Sequence, residues 1–331
     1  MARTETEITS TWKTLHPPLV SVACITYNHE TCIRDALEGF LMQVTDFPFE
    51  VIIGEDCSTD GTLHIVEEYR KRYPGIIKLL PSSKNLGIAG NFIRTVNAAK
   101  GEYIACCEGD DYWIDRAKLQ QQVEFLETHK EFSMTAHRVH VVDNTKHGVR
   151  YTLYDTFPKC VFTTEDILAK HCIPTLSLVF RANRLHFPDW YHSCRSLDIA
   201  MELILSLSGP GEIFPREMGV YRHHDGGITK RRKNEKEILY KSLYLFRSFD
   251  RYSNGRFSLH VRKRMASIHF SYALHRMLDV EFAECGHSLL TAFRLSPHHF
   301  IFELIPSLME RLSTYLLHKA GFRHAIHSLL S

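Results

Sequence analysis

Between residues 19 and 131, short apolar runs rich in β-branched residues alternate with segments whose apolar residues recur at helical spacing. "LVSVACITYN", "FEVIIGED", "IIKLLPS" and "EYIACCE" read as strands. The segment "TCIRDALEGFLMQV" puts Ile33, Leu37, Phe40, Leu41 and Val44 on one helical face. Further helices are expected in "TLHIVEEYRKRYPG", where Ser58 or Thr59 could cap the start, in "NLGIAGNFIRTVNAAKG" and in "DRAKLQQQVEFLE". Strict strand–helix alternation needs crossover connections, so the class is α/β with a mainly parallel sheet. Such sheets bind ligands beyond the carboxyl ends of their strands. The polar clusters Thr26-Tyr27-Asn28, Glu55-Asp56 and Glu108-Asp110-Asp111 all fall at that edge and are expected to share one crevice.

The third cluster, in "ACCEGDDYW", holds three acids in four positions. Helix capping by Asp111 or Asp115 would account for one of them. Adjacent carboxylates repel unless a cation neutralises them. All-oxygen ligands without His/Cys spacing favour magnesium or manganese.

Residues 132–228 mix strands and helices in "FSMTAHRVHVVD", "VFTTEDILAKH", "PTLSLVFRAN", "SLDIAMELILSLSG" and "GEIFPREMGVYRHHDGG". The charge run "TKRRK" marks a boundary, read as a solvated linker or a phosphate contact. Amphipathic helices follow over 238–249, 259–277, 281–293 and from 300 onward. The organisation expected is a loose tail over 1–18, one domain over 19–228 and a helical extension over 229–331. That extension could pair in a homodimer or lie on a membrane surface.

A formal net charge of +2 gives no reason to expect a nucleic-acid partner. Nine scattered cysteines without framework spacing predict reduced thiols in a cytoplasmic protein, with peripheral contact at the inner membrane face left open. No apolar run reaches the roughly 18 residues of a membrane span. "FIFELIPSLM" is interrupted by Glu303 and Pro306. His137/His140 and His324/His327 lack a third ligand, and Trp113 and Trp190 fit either sugar stacking or core packing.

"VSVACITYN", "FEVIIGEDCSTDGT", "NLG", "AAKGEYIACCEGDDYW" and "KLQQQVEFLE", in this order and spacing, resemble family 2 glycosyltransferases of the GT-A fold over about residues 19–228. The resemblance implies an inverting transferase that moves a sugar from a nucleotide-sugar, a UDP-sugar first, to a glycan or glycolipid acceptor hydroxyl in surface polysaccharide or glycolipid assembly. Thr26, Tyr27 and Asn28 would line the donor pocket. Glu55 and Asp56 stand where paired acids hold base and ribose, and Asn85 and Gly87 match an Asn-x-Gly. "EGDDYW" takes the place of the Asp-x-Asp metal motif, with Glu108 replacing the first Asp. Asp110 is then the main ligand for Mn2+ or Mg2+ and a donor contact, with Asp111 second. The Arg that many members carry after Asn-x-Gly is shifted here to Arg94, so its diphosphate role does not transfer.

"SLDIAMELILSLSG" resembles the segment that carries the catalytic acid before a helix. Asp198 becomes the candidate base, although the same position could cap that helix; Glu202 is the fallback. "VYRHHDGG" matches the family's Tyr-Arg-x-His, which implies Arg222 on the diphosphate and His224 in the metal shell. Pro174 to Phe180 would shape the acceptor site.

Rival enzyme classes lack their signatures. "CITYNHETCIRD" has no Gly-rich turn for a nicotinamide cofactor, no G-K-[ST] occurs, and no Gly/Arg-rich nucleotidyltransferase loop opens the domain. The non-enzyme alternative is a sugar-nucleotide or polysaccharide binder with a degenerate site.

Overall fold

The computed structural model describes residues 3–14, 17–143, 149–153, 160–169, 173–223, 235–278 and 282–309. The chain divides into two compact units, Met1–Arg232 and Lys233–Ser331. The boundary expected between 228 and 229, together with "TKRRK" and His224, lies outside the described residues.

The first unit is built on one ten-stranded sheet. Strands β1 (Val20–Thr26), β2 (Phe49–Glu55), β3 (Ile77–Leu80) and β4 (Tyr103–Cys106) run parallel in the order β3-β2-β1-β4. Helices α2 (Ile33–Leu41), α3 (Thr62–Arg72) and α4 (Gly87–Asn97) connect them. β1 and β2 are buried along their length because helices cover both faces. The register sets Thr26 beside Glu55 and Ala23 beside Cys106, so three strands end along one edge. These are the expected α/β alternation and edge.

Gly54 fits where α4 crosses β2. A Cβ there would sit 2.0 Å from Thr95 Oγ1 and 2.7 Å from Asn91 Oδ1. Asn91 Nδ2 also donates to the Gly54 carbonyl at 2.7 Å. Overpacking of this kind costs about 2 kcal/mol. Gly54→Ala is therefore expected to lower the chemical-denaturation stability by about that amount, and an unchanged midpoint would show that α4 can give way.

Beyond β4 the sheet turns mixed. β9 (Val179–Arg181) runs antiparallel between β4 and β6 (Met134–Asp143), and β10 (Gly211–His223) lies parallel to β6. β7 (Val149–Leu153) pairs with β6 and β8 (Val161–Phe162) with β10; helix α5 (Lys118–Thr128) precedes β6, α6 (Thr164–Leu168) follows β8, and α7 (Leu197–Ser206) precedes β10.

Two local expectations are corrected. Tyr112–Trp113 is a short strand, β5, antiparallel to β10 at Gly219 and Val220, so the following helix begins at Lys118. Ala117 N–H donates to Asp115 Oδ1 at 2.9 Å and Leu119 N–H to Gln43 Oε1 at 3.1 Å, which leaves Asp111 out of that helix start. The supposed loose tail carries a helix, α1 (Glu5–Thr9), closed by a Thr4–Glu7 capping box. Ile8 is buried in the core, Trp12 meets Phe49 edge-on at 5.6 Å, and Tyr73 Oη donates to the Arg3 carbonyl at 2.9 Å. A capping box followed by spaced apolar residues is enough to dock this segment.

The second unit contains α8 (Glu235–Tyr252), α9 (Ser258–Leu278) and α10 (Phe282–Leu295). Ala266, Phe270 and Ala292 form its core, with Leu289, Phe300 and Leu304 packed around them. No helix among the described residues is long and apolar enough to cross a membrane.

Candidate active site

The crevice starts where β1 ends. Asn28 takes a left-handed φ of 56°, which Asn tolerates. Its N–H donates to Ser58 Oγ at 3.0 Å, and its Oδ1 accepts from Thr59 N–H at 2.8 Å. Ser58 and Thr59 thus hold Asn28 and do not cap α3; Asp60 Oδ1 accepts the Thr62 N–H there at 3.0 Å. Tyr27 beside them is 41% exposed.

Glu55 and Asp56 are buried, and their carboxylates serve the chain's own amides. Glu55 accepts from Ser58 N–H at 2.7 Å and Cys57 N–H at 3.2 Å. Asp56 accepts from Leu86 N–H at 2.8 Å and Gly87 N–H at 2.9 Å, and the exposed Asn85 donates Nδ2 to the Asp56 carbonyl at 3.3 Å. Arg94 ties the ends of β2 and β3 together through the Glu55 and Leu80 carbonyls. Its guanidinium is thereby committed to carbonyls of its own chain.

The acidic turn folds over Thr26. Gly109 N–H donates to the Ile25 carbonyl at 3.0 Å, and a Cβ on Gly109 would meet Thr26 Oγ1 at 2.7 Å. The buried Thr26 hydroxyl bonds His29 Nδ1 at 3.2 Å, and His29 Nε2 stands 3.8 Å from Asp110 Oδ2. Asp111, also buried, accepts the Arg222 N–H on Oδ1 at 2.8 Å. The Arg222 guanidinium donates to the Asp110 carbonyl at 3.1 Å, pairs with Asp35 and lies 4.2 Å over the Tyr112 ring.

Burial, and then the charge of Asp110, push the Glu108 carboxyl up to about 7, while the Thr175 hydroxyl bonded to it opposes the rise. Burial, and then Asp110 and Glu108, raise Asp111 well above the usual carboxylate range, against the pull of Arg222. Acids crowded in this way favour a nearby positive charge, and hard carboxylate oxygens are the donor type that Mg2+ and Mn2+ take. Asp110, 23% exposed at its side chain, is more open than the buried Asp111. Among the described residues no three His, Cys, Asp or Glu side chains by themselves form a metal-holding group.

Asp198 lies in the first turn of α7, where the helix dipole favours a carboxylate. Ser196 occupies the N-cap position, so Asp198 is not the cap. Its charge reaches Glu108, Tyr191 and Tyr221. Glu202 is one turn deeper and fully buried. Trp113 is a core residue: its Nε1–H donates to the Leu176 carbonyl at 2.8 Å, and Lys118 Nζ lies 4.1 Å over its ring. His137 is buried with Nδ1 2.8 Å from the Arg138 carbonyl, and His140 pairs with Glu217 at 2.6 Å, so neither belongs to this site.

The structure thus brings together Thr26, Asp110, Asp111 and Arg222, and links Asp198 electrostatically to their turn through Glu108. Sequence reasoning passed over His29, Thr175 and Asp35. The position of His29 directly after Asn28 was the available signal. Asp35 had none, being 187 residues from its partner Arg222. A groove of about 860 Å³ lined by Phe47, Phe125, Phe214 and Arg216 shares no residue with this crevice.

An α/β sheet whose parallel strands open on an acidic turn is the GT-A glycosyltransferase class. Many solved structures share the fold, two of them as follows. Staphylococcus aureus TarS 1-349 superposes with a TM-score of 0.61 at 19% identity, covering 85% of this chain and 82% of that one. The mannosyltransferase PcManGT from Pyrobaculum calidifontis, in complex with GDP-Man and Mn2+, gives 0.58 at 17% identity, covering 91% and 81%. Residues 21–186 match the family model for glycosyl transferase family 2, and the chain belongs to that family. The uncharacterized protein Rv1520 of Mycobacterium tuberculosis is 37% identical over 225 residues, 65% of this chain and 63% of that protein. The chain therefore matches less than two thirds of that relative's length.

Proposed function

We propose that the protein transfers a sugar from a nucleotide-sugar to an acceptor hydroxyl with inversion at the anomeric carbon. The observation that carries this reading is the shared edge of a family 2 glycosyltransferase domain, where the ends of β1 and β2 meet the acidic turn after β4; the influence of the Asp198 charge on Glu108 supports a base beside that turn. A base on one side and a cation-binding turn on the other are what single displacement needs. Asp198 takes the acceptor proton as the hydroxyl oxygen bonds to the anomeric carbon. The bond from that carbon to the donor phosphate oxygen breaks, and its electron pair leaves with the nucleoside diphosphate.

Asp110 would hold Mn2+ or Mg2+, with Asp111 fixing its turn and His224 a further ligand. Such a cation, when bound, neutralises the leaving diphosphate as a Lewis acid. Tyr27, Asn28 and Asn85 meet the nucleotide on the turns that Glu55 and Asp56 hold in shape. Arg222 adds positive charge beside the diphosphate.

A structure of TarS in complex with UDP-GlcNAc supports a nucleotide-sugar donor, and a UDP-sugar is the first to test. TarS by name modifies poly(ribitol-phosphate), which supports a surface-polymer or glycolipid acceptor. Exposed Ile301, Phe302, Ile305 and Met309 in the second unit favour an acceptor met at a membrane face.

The test is a melting panel of UDP-glucose, UDP-N-acetylglucosamine and GDP-mannose, each with and without manganese. A cognate donor at 100 times its Kd is expected to raise Tm by about 5 °C. The rise should need manganese and be accompanied by slow donor hydrolysis. Stabilisation without hydrolysis or transfer would favour a binding protein; no stabilisation by any of the three would remove the support for these donors.

A further inference from the structure

Glu202 is a buried acid that the mechanism above leaves without a task. It is fully buried on α7, one turn after Asp198. Its Oε1 accepts the Ile173 N–H at 3.2 Å, and its Oε2 is buried with no hydrogen-bond partner. Among the described residues no Lys, Arg or His pairs with it. A carboxylate in that setting would be an uncompensated buried charge.

The segment held by Ile173 is itself a junction. The Thr175 hydroxyl bonds Glu108, the Leu176 carbonyl accepts the Trp113 Nε1–H, and the Ser177 carbonyl accepts Gln122 Nε2–H at 3.0 Å. Glu202 is thus a polar tie between the helix that presents Asp198 and the segment that braces the acidic turn.

We infer that Glu202 is a positioning residue acting as an uncharged carboxylic acid: its Oε1 binds the Ile173 amide and fixes the Asp198 helix against the segment 173–177. The inference rests on the reading of Asp198 as the base. Neutrality matters because an ionised Glu202 would repel the Asp198 carboxylate one turn away and work against a fixed helix position. The groups facing Glu202 agree with it. Asp198 faces it from its own helix and the 173–177 segment presents the Ile173 amide. Burial, then Asp198, raises the Glu202 carboxyl well above its usual range, against the Ile173 amide.

The sign of the pH effect follows. A carboxyl raised in the folded state favours folding fully below its unfolded value of about 4.3. That contribution is lost as pH rises toward the folded value. Melting of the full chain from pH 5 to 8.5 reads it. Glu202→Gln keeps an oxygen acceptor and cannot ionise. Its Tm relative to wild type is expected to climb with pH, by about 3 °C or more over this range. A flat difference, or one that falls with pH, overturns the inference.

Kinetics supply the second arm, with UDP-N-acetylglucosamine and manganese as the probe. Glu202→Leu is expected to cut kcat about 10-fold, with KM for the donor within about 2-fold of wild type, because the base is displaced and the donor pocket is not. Glu202→Gln should recover most of that loss. A Gln variant as inactive as Asp198→Asn would make Glu202 an ionised base and overturn the inference. Should the Leu variant not fold, the pH course of the Gln variant decides alone. If Asp198→Asn stays active while the Gln difference climbs with pH, the base assignment fails and the neutral tie stands.

Discussion

Asp198→Asn is expected to lower kcat for sugar transfer by about 10³-fold while Tm moves by no more than a few degrees. Asparagine keeps the shape of the side chain in the first turn of α7 but cannot accept the acceptor hydroxyl proton. The helix cap is spared, since Ser196 holds the N-cap position and Asp198 does not. Donor binding, read as the Tm rise with nucleotide-sugar and manganese, should survive, because the donor turns around Asn28 and Asp56 are held by other bonds. Wild-type turnover in this variant would remove Asp198 from the mechanism.

Asp110→Asn is expected to cost about 10²–10³-fold in kcat and to weaken manganese binding in the presence of UDP. Both effects follow from loss of the open carboxylate of the turn. The change should not unfold the protein, since the turn is anchored by the Gly109 and Asp111 amides and by the Asp110 carbonyl that accepts from Arg222. Calorimetric titration of manganese into protein with UDP separates this outcome from a general defect. Equal manganese affinity in variant and wild type would move the cation elsewhere.

What the sequence made legible divides by distance along the chain. β1, β2 and β4 with their intervening helices were readable because β-branched runs and helical periodicity are local patterns. The place of Asp198 at the start of a helix was readable because the periodicity of that helix is local. The partners of Glu55 and Asp56 were not, because backbone amides carry no signature in residue identity. The bond from Arg222 N–H to Asp111 was also out of reach, since it depends on β10 and β5 pairing across about half the first unit. The N-terminal helix was misjudged for a different reason. Its polar composition suggested a tail, whereas a single capping box with Ile8 and Trp12 suffices to dock it.

The Asp111–Arg222 bond also bears on the order in which the molecule assembles. It spans 111 residues, and the Arg222–Asp35 pair spans 187. Closing loops of that length costs entropy before the contact returns anything, so such contacts form late. During synthesis β1 to β4 leave the ribosome well before β10 does. The acidic turn therefore spends the early life of the chain without the strand that completes it. A nascent chain stopped before residue 211 would have its parallel strands and the Gly109 anchor, but the Asp111 carboxylate and the Asp110 carbonyl would still lack their partner Arg222.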